Sequence, residues 1–505
     1  MKRAVRSRWI GSTGLVAALW FCLPVIGLAQ QIAIGEYPVT TFDSGPEGIT
    51  AGPDGALWFT EENMGRIGRI TVAGSVREWV VPASVGNSIP EGITVGPDGA
   101  LWFTDTGGNN IGRITTAGTI TEYPLPTSNA DPVGIVAGSD GALWFTESNG
   151  ARIGRITTSG QITQYIGLKS SAQGITAGAD GALWFTENTA DGIGRITTSG
   201  ELSFYALPTA NSSPYGITPG PDGALWFTEY AGNKIGRITT AGVISEYAVP
   251  TPNSTPQGIT AGSNGALWFT ESGRGEGSKI GSITTAGVIT EFSVPTAKSG
   301  PWGITSGPDG ELWFTEYLGN NIGEALFVSA DLSATPDSGA YQTEIAFGGS
   351  AFAPNETVEI YSSGVGSAVL ASATADSAGS FTTAARAPIS PYGPRLFVGV
   401  GQSSGKLGAA SFSTSPKLVV SPASGPVGTT VSASGYGFGS FEQVTLYWNS
   451  PRILLGIVTA GFGGAFEGDA ALTFLVPSGS PSGRNKVIGI GGTTGAKGSG
   501  FFTVE

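Results

Sequence analysis

The stretch GITAGPDGALWFTEENMGRIGRIT, residues 48–71, returns with few changes as GITVGPDGALWFTDTGGNNIGRIT, residues 92–115. Its LWFT tryptophan falls again at Trp58, Trp102, Trp144, Trp184, Trp226, Trp268 and Trp313, seven copies about 42 residues apart. Each copy divides into four short β-type runs, GIT, ALWFTE, IGRIT and one like VISEYAVP, separated by Gly, Asp, Asn and Pro. Four strands per unit at this period predict propeller blades, and seven units predict a closed ring. PDG and TAG sit where tight hairpin turns belong, because glycine supplies positive φ without steric cost.

Alternation within ALWFT places Leu57 and Phe59 on one face of a blade and Trp58 on the other. A sheet apolar on both faces has to stack against two neighbours, so one blade alone cannot hold its shape. The chain ends of the ring carry the closure. The seventh copy stops after NIGEALF without a fourth strand, while GEYPV, residues 35–39, precedes the first copy without its other three. The N-terminal strand is expected to complete the last blade.

After residue 327 a second period starts. TPDSG (335–339) and SPASG (421–425) are 86 residues apart, as are FAPNETVEIY (352–361) and FGSFEQVTLY (438–447). Two tandem all-β units of about 88 residues, read as Ig-like sandwiches, are expected there. The organisation is thus a leader over 1–29, an all-β seven-bladed propeller over 30–327, and sandwiches over 328–416 and 417–505.

The first residues carry Lys2, Arg3, Arg6 and Arg8, then an apolar run, then Gly27 and Ala29 at the small-residue positions of a cleavage site. That is the layout of a secretory signal, with cleavage near Ala29 and export to the periplasm or beyond. Cleavage also removes Cys22, the only cysteine, leaving a chain without disulfides. Losing the four basic residues takes the formal charge from −13 to −17, which repels nucleic acid and anionic lipid. No later apolar run reaches the roughly 20 residues of a membrane span. The expected partners are a small polar ligand, a saccharide or an envelope protein, met by a monomer.

Uniform turns serve the fold, whereas variation concentrated on one rim is where several blades can assemble a site. PDG and TAG, uniform, lie at the bottom; the loops after WFTE and the blade crossings, variable, lie at the top. The residue before each GI is Glu47, Glu91, Val133, Gln173, Tyr215, Gln257 and Trp302, and all seven are expected to circle the channel mouth. Acids, amides and two aromatics in one ring suit a sugar or another polar organic ligand, or simply fill a wet funnel. The acids ending the second strands, Glu61, Asp105, Glu147, Glu187, Glu229, Glu271 and Glu316, recur in every copy and read as structural, accepting loop N–H groups or pairing with the IGR arginines. Arg69, Arg113, Arg155, Arg195 and Arg237 serve five of them on this reading. The last two copies carry Ser282 and Glu324 instead, leaving Glu271 and Glu316 to full solvation or to a divalent cation, Mg2+ or Ca2+. The top loop of copy six is also longer, adding Arg274, Glu276 and Lys279.

Through the pattern P-x-GIT-x-GPDG-x-LWFTE…N-x-IGRIT…G-x-ITEY, residues of about 32–327 resemble the virginiamycin B lyase (streptogramin lyase) family of seven-bladed propellers. The resemblance implies a magnesium-assisted elimination that opens a cyclic depsipeptide antibiotic at its ester. It implies two histidines before GI in adjacent late blades, one of them the general base, and acids beside the second that hold the metal. Here those histidine positions are Gln257 and Trp302, the upstream acid is Gly300, and only the acid at Glu316 survives. No histidine exists in the chain. An amide or an indole cannot take a proton near neutral pH, and losing a general base costs about 10²- to 10⁴-fold in rate. Serine–histidine and cysteine nucleophiles are excluded as well. Carboxylate or tyrosine chemistry remains open to Asp131, Glu147 and Tyr215, including a glycosidase-type carboxylate pair. The expectation is a non-catalytic binding or interaction module, with a metal- or carboxylate-dependent lyase or hydrolase as the alternative.

Overall fold

Each LWFT segment becomes a strand without a solvent-facing side, and this dictates the architecture. The computed structural model describes residues 31–82, 88–273, 278–362, 367–448, 453–461 and 463–505. The leader, Cys22, Arg274 and Glu276 lie outside them. Blade one consists of Pro46–Ala51, Ala56–Glu61, Arg66–Thr71 and Val76–Val80, paired antiparallel in chain order, and five further blades repeat this. Blade seven takes Pro301–Ser306, Leu312–Glu316 and Asn321–Val328, then Gln31–Pro38 from the other end of the propeller sequence. The register runs from Gln31 opposite Val328 to Pro38 opposite Asn321, so the ring closes as the sequence predicts.

All seven LWFT tryptophans are fully buried. Trp58 packs on Leu101 and Phe103 of the next blade, while Leu57 and Phe59 pack against Trp313 of the preceding one. Removing a Trp from water is worth about 4–6 kcal/mol before entropy is counted, so the blade interfaces carry the stability. An aromatic ring of the fourth strand stacks on each tryptophan. Trp79 lies 5.1 Å from Trp58, and Tyr37 of the N-terminal strand fills that role 5.5 Å from Trp313.

The glycine of GIT is a close-approach residue. A Cβ on Gly48 would stand 2.3 Å from the carbonyl oxygen of Glu91, and one on Gly303 would stand 2.3 Å from that of Glu47. A threonine of the second strand completes the junction. Thr60 Oγ1 accepts from Gly48 N (2.9 Å) and donates to the Glu91 carbonyl (2.7 Å). The relay repeats from blade to blade until Thr315 donates to Glu47 O at 2.6 Å.

The IGR arginines do not pair with the second-strand acids. Arg69 Nε donates to Asp54 of the PDG turn at 2.6 Å, and Arg113, Arg155, Arg195 and Arg237 repeat this with Asp98, Asp140, Asp180 and Asp222. The register requires it, because the arginine lies opposite the LWFT tryptophan, whose indole Nε1 donates to the same aspartate. Blade six changes both partners together, Ser282 for arginine and Asn264 for aspartate, and Trp268 Nε1 still finds Asn264 Oδ1 at 3.2 Å. Ser282 and Glu324 therefore take no cation from Glu271 and Glu316.

Beyond residue 328 come two β-sandwich units. The first pairs a three-stranded sheet (Asp331–Thr335, Glu344–Ser350, Phe381–Arg386) with a five-stranded one that includes Gly393–Gly401 and Leu407–Thr414. The second, from Lys417–Ser421 to Lys497–Val504, repeats the 3 + 5 arrangement. Each encloses its own apolar core. Among the described residues no helix is long and apolar enough to cross a membrane.

Candidate functional site

The threonine–carbonyl relay holds the backbone of all seven mouth residues, so their side chains start from fixed points around the hub. Tyr215 and Trp302, two blades apart, meet edge to face with ring centroids 6.0 Å apart, and Tyr317 lies 5.6 Å from Trp302. Gln257, which stands between them in chain order, is 2 % exposed, and its Oε1 has no hydrogen-bond partner. Its Nε2 reaches Ser272 Oγ at 3.4 Å. Gln173 Nε2 donates to Ser148 Oγ at 3.2 Å, and Val133 is half-buried.

The acids of the mouth act on one another. Burial, followed by the charges of Glu91 and Glu62, drives the Glu47 carboxyl well above the usual carboxylate range, with the Trp302 indole pulling the other way. Burial pushes Glu91 up to about 7, opposed by a hydrogen bond from Thr106 and reinforced by Asp131 and Glu62. Tyr215 is raised by burial and by Glu47 and Glu91. Glu47, Glu91, Tyr215 and Trp302 are thus brought together, with Glu62 and Tyr317 beside them. Sequence reasoning missed those last two, since both lie in the variable top loops one residue past the recurrent acid.

The second-strand acids are not part of this mouth. All seven are between 0 and 2 % exposed. Asp105 accepts from the N–H groups of Ile89 and Gly108, and Glu187 from those of Lys169 and Ser170, so loop capping is borne out in blades two and four. Glu147 accepts from Gln164 Nε2 at 2.6 Å, and its partner is not Asp131, whose charge acts on Glu91. Glu61, Glu229, Glu271 and Glu316 instead face a fourth-strand acid of their own blade, Glu78, Glu246, Glu291 and Glu36. Burial followed by that like charge pushes Glu61, Glu229 and Glu271 up to about 8 and Glu316 well above its ordinary value. In three of these clusters a cation is present and belongs to the fourth-strand acid, whereas Asn321 takes its place beside Glu316 and Glu36. Arg66, Lys234 and Lys279 stand 3.6, 2.7 and 3.0 Å from Glu78, Glu246 and Glu291. Lys279 therefore opens a strand and does not arm the longer loop. Its recurrence opposite a fourth-strand glutamate was the signal available in the sequence.

The residues present do not fit a magnesium ion. Among the described residues no three Asp, Glu, His or Cys side chains are grouped to hold a metal. Glu271 and Glu316 each sit against one neighbouring acid, and the upstream acid's place is taken by Gly300 at φ 63°. Full solvation of Glu271 and Glu316, one of the two expectations, is contradicted by their burial, which with the neighbouring acid raises both carboxyls.

Comparison with known proteins accords with this geometry. A 47-residue segment is 52 % identical to the virginiamycin B lyase of Bacillus licheniformis, covering 9 % of this chain and only 16 % of that relative. A streptogramin B lyase structure is 45 % identical, with TM-score 0.55, over 58 % of this chain and 97 % of its own. The virginiamycin B lyase of Staphylococcus aureus is 42 % identical, with TM-score 0.55, over 59 % of this chain and all of its own; a catalytically inactive histidine-to-alanine variant of it has been crystallised with quinupristin. The virginiamycin B lyase family profile matches residues 12–173 and 166–331, and by that match, spanning more than half its length, this chain belongs to the virginiamycin B lyase family.

Proposed function

We propose that the chain is an exported, non-catalytic ligand-binding module, in which the propeller hub recognises a small polar ligand and two Ig-like units serve as spacers. The observation that carries this reading is chemical. The two mouth positions where the family places its histidines hold Gln257 and Trp302, and no histidine exists to replace them. What remains is a mouth of acceptors and aromatic faces, with no Lys or Arg among its seven residues. Such a surface favours polyhydroxylated or cationic ligands over anions.

One observation favours a second reading, a lyase working through a carboxyl group. Glu91 is pushed up to about 7, where a general acid or base is most effective. One experiment separates the two. The purified protein is incubated with a streptogramin B antibiotic, with and without magnesium, and linear product is sought by mass spectrometry, while binding of a saccharide and amine panel is followed by Trp fluorescence. Binding that is lost in Trp302→Ala and Tyr215→Ala, without turnover, is the expected result. Turnover abolished by Glu91→Gln overturns it in favour of the lyase.

A further inference from the structure

Where the rim of blade seven meets both sandwiches, a groove of about 710 Å³ opens, within the range of small-ligand sites. Its walls are joined by backbone. Tyr392 N, in the first sandwich, donates to Phe438 O, in the second, at 2.9 Å.

Three features of its lining point to one ligand chemistry. Arg395, on the strand Gly393–Gly401, lines the groove, and its buried Nε has no hydrogen-bond partner. Two acids share the lining: Glu36, whose charge acts on Arg395, accepts from Thr296 N and Thr296 Oγ1, both at 2.7 Å, and Glu442 accepts from Gly439 N, Thr494 N and Thr494 Oγ1. Among the described residues Arg395 forms no ion pair within 4.0 Å. Three aromatic rings stand along the groove, Phe42, Tyr392 and Phe441, which are 78 %, 47 % and 46 % exposed. Phe441 is held at φ 54°, a conformation costly for a bulky residue. The two sandwiches show what that position normally takes. Glu356 and Glu442 close the same loop, and the residue before each is Asn355 (φ 60°) in the first unit and Phe441 in the second. Asparagine tolerates this conformation; phenylalanine there places an aromatic ring on the groove at the cost of strain. Gln443 and Thr493 add exposed hydrogen-bonding groups.

We propose that this groove binds a carboxylate-bearing saccharide, with Arg395 receiving the carboxylate and Phe42, Tyr392 and Phe441 receiving the sugar faces. A recessed guanidinium within a chain of net charge −13 selects a carboxylate that can reach it and discourages non-specific anion binding. The site is separate from the hub.

The test titrates the full chain calorimetrically with trigalacturonate and with its fully methyl-esterified form. The acid is expected to bind at least about tenfold tighter than the ester. Arg395→Gln brings the acid down to the level of the ester, and Phe441→Asn and Phe42→Ala each weaken both ligands by about fivefold. All titrations are repeated in the Trp302→Ala background, which removes saccharide binding at the hub, so that the groove alone is read. Equal affinity for acid and ester in that background, binding of neither, or a preference that survives Arg395→Gln overturns the proposal. Should Arg395→Gln fail to fold, unchanged affinity in Phe42→Ala, at a 78 % exposed position, overturns it equally.

Discussion

At the scale of single residues, the aspartate of PDG does two jobs that its place in a turn conceals. Asp222 accepts from the buried Trp226 indole at 3.0 Å and from Arg237 at 2.7 Å. Burial alone would raise its pKa, yet the hydrogen bonds from Trp226 and Arg237 hold it below the ordinary value. The ion pair is partly solvated, with side chains 23 % and 19 % exposed, and is worth below about 1 kcal/mol. The indole bond matters more, because an orphaned buried N–H costs about 1–3 kcal/mol. Asp222→Ala is therefore expected to destabilise the propeller by about 2–3 kcal/mol, whereas Asp222→Asn, which copies Asn264 of blade six, costs under about 1 kcal/mol. Urea unfolding followed by Trp fluorescence checks this, and equal losses in the two variants would show that the charge, not the acceptor, is what counts. The same residue marks where sequence reading stops. The period of the tryptophans exposes the ring, but assigning the arginines to the acids ending LWFTE requires knowing which end of the third strand each residue occupies. Arg69 pairs in register with Trp58, at the PDG end, whereas Arg66 is the residue opposite Glu61.

At the scale of elements, closure by Gln31–Pro38 was legible, because a ring of four-stranded units with three strands at one end and one at the other has a single economical solution. What was not legible is how that strand is held. Tyr37 is 6 % exposed, stacks on Trp313, and donates to Glu324 Oε2 at 2.6 Å. Glu324 occupies the arginine position of its blade, and burial, eased by Tyr37 and worsened by Asp309 and Glu311, pushes it up to about 8. A carboxyl with a raised pKa, bonded to a phenol, thus takes the place of the arginine–aspartate pair of the first five blades. The mouth ring was likewise legible as a set of positions, since the residue before GI needs only the repeat. The contact between Tyr215 and Trp302 was not, because it joins blades that are not neighbours. Tyr37→Ala removes a stacked ring and a hydrogen bond, a loss of about 3–5 kcal/mol. The loss should be local. Hydrogen exchange is expected to accelerate across residues 31–38 and 321–328 while the amides of blade three keep their protection. Uniform acceleration around the ring would mean that the N-terminal strand does not act as a separate closure.

At the scale of the whole molecule, the propeller and the first sandwich carry buried carboxyls of opposite character, and this fixes how stability responds to pH. Glu61, Glu229, Glu271 and Glu324 are pushed up to about 8 by burial, against roughly 4.3 in an unfolded chain. Between those values the folded propeller keeps protons that the unfolded chain has released. Stability is then fully present below the unfolded pKa and declines as pH rises towards the folded one. Glu356 of the first sandwich behaves in the reverse sense. Burial works to raise it, but N–H groups of Ala353 and Ser404 and the hydroxyls of Ser403 and Ser404 hold it at about 2, so its contribution is present above about pH 4.3 and is lost as pH falls through 2. Scanning calorimetry on the full chain is expected to show the propeller transition moving upward as pH is lowered from 8 to 5, with the sandwich transition unchanged across that interval and falling only below about pH 4. Glu271→Gln supplies the decisive control. A permanently neutral side chain at that site preserves the stability seen at pH 5 and flattens part of the decline towards pH 8, whereas a variant that loses stability equally at both pH values would establish that Glu271 is ionised in the folded ring and that its neighbour Lys279 serves both acids of the blade.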